Sequence, residues 1–233
     1  MQSMVDILDL NVIGSFLYGS QNYGLAHEDS DVDTILLVLS SDVPRQELTA
    51  DTGKMKIYTL KYFINRLKSG DMECYEILYT RHRTINPVYE KFFDKFVAEF
   101  SECMSYDRIK CSLRNKLDEH LRHVFWLIRN DDGGRYSKKR LYWAIRVHNQ
   151  LDRIVHGESF ESSLKYDFSC EYNLIKIKTV PDYLSIRDVN IIYKYLVDYT
   201  QSFPRYSKDI SGEEEECLSD FYTNMNLYRK GGS

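Results

Sequence analysis

The sequence lacks the features that mark several common classes of protein. Its five cysteines form no Cys-x-x-Cys pair, and no histidines stand at zinc-finger spacing, which argues against a structural zinc site. No apolar run reaches 18 residues, and the first ten residues show neither a basic leader nor an apolar stretch. We therefore expect a cytoplasmic protein with reduced cysteines that is neither secreted nor membrane-spanning.

An excess of charge of either sign is also missing. The 233 residues include 31 Lys and Arg against 35 Asp and Glu, for a formal net charge of −4. Overall charge therefore provides no general attraction to nucleic acid, and any contact with RNA requires a local basic patch. The 43% hydrophobic and 28% charged residues are typical of a packed globular chain.

The order of patterns along the chain predicts an α+β fold. Strand-like runs at 11–18, 34–39 and 54–59 come first, and the polar stretch 42–54 is predicted to be a loop. Helical spacing dominates from residue 72, over 72–79, 87–100, 105–130, 136–157 and 188–203.

This order also predicts the domains. We predict a small mixed-sheet head at 1–85, a helical domain at 86–229 and a flexible tail at 230–233. The acidic run 213–216 is predicted to cap or solvate a last helix, whereas 160–181 has no dominant period.

Two short polar motifs flank residues 21–30. Gly19 allows backbone to approach a phosphate closely, and Ser20 offers a hydroxyl and is expected to cap a short helix starting at Gln21. Asp31 and Asp33 are separated by one residue, so on an extended chain both carboxylates point to one side. Carboxylate oxygens beside a phosphate cradle are what Mg²⁺ requires to hold a nucleotide. The simpler alternative is that Asp31 and Asp33 only cap a turn.

The Gly19-Ser20 pair, the gap of ten residues and Asp31-Val-Asp33 resemble the signature of the DNA polymerase β-like nucleotidyltransferase superfamily. The whole stretch 19–33 is similar to the YcgL/RlaP group of predicted nucleotidyltransferases, which has an associated RNA-repair member. Looser similarity follows at 63–79 and at 139–146.

This resemblance implies a Mg²⁺-dependent or Mn²⁺-dependent nucleotidyltransferase. Asp31 and Asp33 would be catalytic and would bind the metal, and Gly19 and Ser20 would bind the phosphates of a nucleoside triphosphate. A nucleoside monophosphate would pass to a hydroxyl group, with RNA or tRNA as the expected acceptor and a protein as a further one.

The sequence departs from the family at the third acidic residue. The family places it just before the tyrosine of the third strand, where this chain has Lys54 and Lys56. Such a lysine would repel a metal ion. Alternatively, its long side chain would reach a phosphate, or its positive charge would take the place of one metal cation. Asp51 is the candidate for the missing catalytic carboxylate, or else a solvated loop residue. The departure favours the alternative of an impaired nucleotide-binding or RNA-binding protein that acts as a sensor, a decoy or a partner-binding module.

A third group of candidates lies at 136–157. Lys139, Trp143 and Arg146 share one helical face and are predicted to bind nucleotide, with a solvated cationic face as the alternative. His148 falls on the apolar stripe and is predicted to be a core histidine. Glu76 matches a helical glutamate of the YcgL/RlaP group, and its alternative is a structural carboxylate.

Overall fold

The computed structural model describes residues 11–26, 28, 30–39, 45–50, 53–129, 135–166, 168–180, 183–204, 206 and 209–231. The strands are β1 Val12–Leu17, β2 Thr34–Val38, β3 Arg45–Ala50, β4 Gly53–Thr59 and β5 Arg83–Ile85. The helices are α1 Leu60–Lys68, α2 Met72–Leu78, α3 Pro87–Cys103, α4 Tyr106–Arg129, α5 Arg135–Val155, α6 Phe160–Ser163, α7 Phe168–Thr179, α8 Ile186–Ser202 and α9 Gly212–Gly231. A sheet of five strands with these helices confirms the predicted α+β class.

The chain groups into two compact units. The first contains residues 1–22, 29–105 and 209–233, and the second contains 23–28 and 106–208. Helices α3 and α9 therefore belong to the same unit as the sheet. The predicted domain boundary after residue 85 stays a prediction.

The sheet of the first unit has the strand order β3-β4-β2-β1-β5. β2 and β4 run parallel, with Thr34 opposite Met55, and the other neighbouring strands are antiparallel. Asp33 directly precedes β2, so this register places it beside Lys54 at the start of β4. The candidate carboxylate of Asp33 and Lys54 are thus neighbours across two strands.

Strand β3 corrects the prediction of a loop over 42–54. Its sequence, Arg45-Gln-Glu-Leu-Thr-Ala50, has no apolar alternation that would identify a strand. β3 pairs along its whole length with β4 and lies at the edge of the sheet, where both faces can remain polar. The short strand β5, which pairs with β1 at the opposite edge, also went unpredicted.

Aromatic packing joins the helices of the first unit to the sheet. Phe16 of β1 lies 5.3 Å from Phe93 of α3 between ring centroids. Phe221 of α9 stacks on Phe96 of α3 at 3.9 Å with the rings nearly parallel at 8°. The predicted last helix is confirmed, and its acidic run begins it, as expected from the favourable interaction of carboxylates with a helix N-terminus.

The second unit is helical. Its predicted helices at 105–130, 136–157 and 188–203 are confirmed within two residues at each end. His148 of α5 is buried at 8% exposure, which confirms its prediction as a core histidine. Among the described residues, no helix combines the length and apolar character needed to cross a membrane.

Candidate functional site

The two candidate motifs meet at the carboxylate of Asp33. β1 and β2 run antiparallel side by side, so the residues that follow β1 lie next to those that precede β2. The backbone N–H of Tyr18 donates to the carbonyl of Asp33 at 3.1 Å. A Cβ atom placed on Gly19 would lie 3.7 Å from Asp33 Oδ2. The predicted phosphate cradle and the predicted metal ligand are therefore adjacent.

The cradle is one turn of 3-10 helix, Gly19–Gln21. Gly19 has φ +71°, a left-handed conformation that glycine adopts without the strain imposed by a Cβ atom. The expectation that Ser20 caps a helix starting at Gln21 is wrong: the turn starts at Gly19, its N-cap is Tyr18, and no side chain caps it. Ser20 lies within the turn, and its hydroxyl makes no hydrogen bond to any residue that the structure describes.

Asp31 and Asp33 differ in how firmly they are held. Asp33 is half-buried, and its Oδ1 accepts a hydrogen bond from the backbone N–H of Lys54 at 3.1 Å. Asp31 is exposed, and within the described residues its carboxylate has no hydrogen-bond or ion-pair partner. One carboxylate is thus fixed by the start of β4 and the other is available to a ligand.

Gly53 brings β4 against the backbone between these two aspartates. A Cβ atom at position 53 would lie 2.1 Å from the carbonyl oxygen of Val32, and Gly53 has φ +148°. Both the contact and the conformation exclude a side chain. Sequence reasoning treated this glycine only as part of a loop, because its role depends on the pairing of β2 with β4.

The two lysines on β4 have different environments. The Lys54 ammonium contacts Glu47 Oε1 at 3.3 Å and is 52% exposed at the side chain. The Lys56 ammonium contacts Glu73 Oε1 at 2.5 Å, lies 4.6 Å from the centre of the Tyr18 ring and is only 13% exposed. Each positive charge therefore has an acidic partner.

Glu47 and Glu73 were missed at the sequence level. Glu47 lies on β3, which was not predicted, and Glu73 lies in the first turn of α2. Lys54 holds the pKa of Glu47 below its usual range through a hydrogen bond. Burial, and then the charges of Glu73, Asp33 and Glu47, raise the pKa of the Tyr18 hydroxyl, so this tyrosine stays neutral. The signal available in the sequence was Lys56, because a lysine that becomes buried in a strand needs a nearby counter-charge.

The available donors fit Mg²⁺ as a partial ligand set. Asp31 and Asp33 offer carboxylate oxygens, which Mg²⁺ prefers, and Mg²⁺ commonly binds one or two carboxylates together with substrate phosphates and water. Within the described part of the chain no group of three His, Cys, Asp or Glu side chains is placed to hold a metal. Asp51 lies outside the described residues, so its role as a third ligand stays a prediction.

Helix α5 of the second unit carries the other predicted nucleotide-binding residues. Lys139 is exposed, Trp143 is half-buried, and Arg146 is buried at 5% exposure. The Arg146 guanidinium lies 4.0 Å from the ring centre of Tyr23 and 4.8 Å from that of Trp143. The alternative of a solvated cationic face is thus wrong for Arg146, and its contact with a nucleotide stays a prediction.

Within the second unit, Arg146 and Tyr166 both pack against Tyr23. Tyr23 comes three residues after Ser20, and Tyr166 packs edge-on against Tyr23 at 6.4 Å while its hydroxyl donates to the Arg146 backbone carbonyl at 2.9 Å.

Glu76 of α2 is buried at 6% exposure, and its backbone carbonyl accepts from the Asn22 side chain at 3.3 Å. This burial agrees with the alternative that Glu76 is a structural carboxylate.

Comparison with known proteins gives distant structural likenesses and no match at the level of sequence families. No protein-family model and no curated protein sequence matches the chain. Its structure is similar to that of a nucleotidyltransferase-like protein from Exiguobacterium sibiricum 255-15, with a TM-score of 0.37 and 12% sequence identity over 97% of this chain and 88% of the other.

Proposed function

We propose that this protein is a Mg²⁺-dependent nucleotidyltransferase of the DNA polymerase β-like superfamily, related to the YcgL/RlaP group. It would move a nucleoside monophosphate from a nucleoside triphosphate to a hydroxyl group, with RNA or tRNA as the acceptor we favour. The observation that supports this proposal most directly is that the Gly19 turn lies beside the Asp33 carboxylate, since a Cβ atom at Gly19 would lie 3.7 Å from Asp33 Oδ2.

The roles of the residues follow from their chemistry. The Gly19-Ser20 turn would bind phosphate oxygens through its hydroxyl and its backbone, and Asp31 and Asp33 would hold Mg²⁺ or Mn²⁺. The bound cation would neutralise charge on the phosphates. The acceptor hydroxyl would lose its proton to solvent as its oxygen forms a bond to the α-phosphorus, the bond from the α-phosphorus to the bridging oxygen would break, and pyrophosphate would leave. Catalysis would come from positioning and charge neutralisation.

A second candidate function is nucleotide or RNA binding without turnover. Lys54 and Lys56 favour it, because both occupy the strand where the superfamily places an acid. The protein would then act as a sensor, a decoy or a partner-binding module. Incubation with labelled nucleoside triphosphates, Mg²⁺ or Mn²⁺, and total RNA or protein lysate separates the candidates, because transfer labels RNA or protein and binding alone labels neither.

The test of the shared site is metal-dependent nucleotide binding. We expect one of ATP, GTP, CTP or UTP with Mg²⁺ to raise the melting temperature, because a ligand that binds only the folded state stabilises it. Asp31→Asn and Asp33→Asn should each weaken this binding about tenfold or more in calorimetric titration, since each removes a charge from the cation site. Asp33→Asn keeps an oxygen that accepts from the Lys54 N–H, so its fold should be preserved.

The matched control is Asp198→Asn. Asp198 is an exposed aspartate of α8 with no hydrogen bond or ion pair within the described chain. Its replacement should leave nucleotide affinity unchanged. If no triphosphate binds with either metal ion, or if both site variants bind as the wild type does, the proposed site is wrong.

A further inference from the structure

We infer that Lys54 is a phosphate-binding residue of the candidate site, and that Glu47 holds its ammonium until a nucleotide binds. This inference rests on the proposed function. At this position the superfamily has an acid. The lysine found here binds the substrate, and its presence does not mean that the site has been lost.

The first support is the placement of Lys54 at Asp33. Its backbone N–H donates to Asp33 Oδ1, while Gly19 faces Asp33 Oδ2. The main chain of Lys54 therefore contacts one oxygen of this carboxylate, and the cradle lies on the side of the other oxygen. A lysine side chain is flexible and its ammonium is a compact point charge, so from this position it can reach a phosphate oxygen beside the carboxylate.

The second support is the weakness of the bond that holds the ammonium. Glu47 is the only ion-pair partner of Lys54 within the described residues, at 3.3 Å, and both side chains are substantially exposed, at 52% and 34%. Exposed ion pairs of this kind contribute little to stability. Glu47 keeps a second cation, since its Oε2 contacts the Arg45 guanidinium at 3.0 Å. The ammonium of Lys54 can therefore leave while Glu47 keeps a positively charged partner.

The third support is the contrast with Lys56. Its ammonium is almost buried, contacts Glu73 at 2.5 Å and lies over the Tyr18 ring. These contacts commit Lys56 to the packing of β4 against Tyr18 and α2. Of the two lysines, Lys54 alone has an accessible charge and an exchangeable partner.

A phosphate is a better partner for this ammonium than Glu47. Nucleoside triphosphates carry several negative charges on adjacent oxygens, and a charge-assisted hydrogen bond to phosphate is stronger than an exposed pair with one carboxylate. Exchange of Glu47 for phosphate would add a fixed positive charge beside the cation site. The opposite model is that Lys54 competes with the cation for Asp33.

The experiment compares Lys54→Met and Glu47→Gln by calorimetric titration in the full-length protein. The probes are the nucleoside triphosphate that the wild type binds, with Mg²⁺, and the matching nucleoside without phosphates. Lys54→Met should weaken triphosphate binding about tenfold, as expected for one charged hydrogen bond, and leave nucleoside binding unchanged. Glu47→Gln should tighten triphosphate binding about twofold, because it removes the competing carboxylate.

Lys116→Met is the matched control for loss of one positive charge. Lys116 pairs with Glu119 at 3.1 Å, and its side chain is 46% exposed, close to the value for Lys54. The affinity of Lys116→Met for the triphosphate should match that of the wild type. If Lys54→Met binds triphosphate as well as or better than the wild type while Asp31→Asn still weakens binding, the inference is wrong and the proposed function survives. If the wild type binds no triphosphate, both are wrong.

Discussion

At the scale of single residues, burial decides what the titratable groups of this protein can do. Asp31 is exposed and has no partner among the described residues, and Asp33 is oriented by one backbone N–H. Arg146, by contrast, is buried against Tyr23 and Trp143. Periodicity placed Arg146 on the same helical face as Lys139, but it gives no information on which part of that face other residues cover.

His120 of α4 gives a prediction about pH. It is buried at 4% exposure, and its ring lies nearly parallel to that of Trp143 with the ring centroids 6.3 Å apart. Burial, followed by the positive charge of Lys116, lowers its pKa to about 3, with Arg146 and Arg140 acting in the same direction and Glu119 against it. The folded state therefore keeps this imidazole neutral at pH values where the unfolded chain, with a pKa near 6.5, binds a proton.

The sign of the effect follows from this difference in proton binding. Stability from the neutral His120 is complete above pH 6.5 and falls as the pH drops from 6.5 towards 3, by about 2 kcal/mol at pH 5. Urea unfolding at pH 7.5 and pH 5 should show that His120→Gln loses about 2 kcal/mol less than the wild type over this interval. His123→Gln, at an exposed position on the same helix, should lose as much as the wild type. Equal losses in wild type and His120→Gln would contradict the assignment.

At the scale of secondary structure elements, the candidate site depends on strand pairing that the sequence shows only in part. β1, β2 and β4 and the long helices were predicted because each buries an apolar pattern of its own. β3 and β5 were not, since an exposed edge strand and a strand of three residues are specified mainly by the backbone of their neighbours. The motifs Gly19-Ser20 and Asp31-Val-Asp33 were found because they flank predicted strands, whereas Glu47 required the unpredicted β3.

Gly53 provides the test of this strand pairing. Gly53→Ala adds a methyl group 2.1 Å from the Val32 carbonyl oxygen at φ +148°, so the start of β4 must move away from the backbone between Asp31 and Asp33. We expect a loss of more than about 2 kcal/mol in unfolding free energy and a marked loss of Mg²⁺-dependent nucleotide binding. Urea unfolding and calorimetric titration measure the two effects.

Gly157→Ala is the control for conformational strain alone. Gly157 also has a positive φ, +93°, but among the described residues other than its two neighbours in the chain no atom lies within 4 Å of a Cβ at that position. This variant should lose about 1–3 kcal/mol from strain and bind nucleotide normally. Normal nucleotide binding by Gly53→Ala would show that the approach of β4 to Val32 does not shape the site.

At the scale of the whole molecule, the chain order and the spatial order differ. The sheet, α3 and the last helix form one compact unit, although more than 100 residues separate α3 from α9. Helical periodicity predicts both helices but not their partners, because an apolar stripe does not identify the surface that covers it. The candidate site therefore lies in a unit that is completed only when the end of the chain is in place.

The contribution of α9 to this unit is measurable at two adjacent residues. Phe221 is 4% exposed, stacks on Phe96 at 3.9 Å and lies 6.1 Å from Phe93, which itself packs against Phe16 of the sheet. Phe221→Ala should cost about 3–5 kcal/mol, because it leaves a cavity among these rings. Tyr222→Ala, at 37% exposure, should cost no more than about 0.5 kcal/mol.

Because β1 precedes the Gly19 turn, unfolding of the sheet in Phe221→Ala should coincide with loss of nucleotide binding in a urea titration. If Phe221→Ala is as stable as Tyr222→Ala, or if binding is lost well before the sheet unfolds, α9 does not stabilise the unit that holds the site.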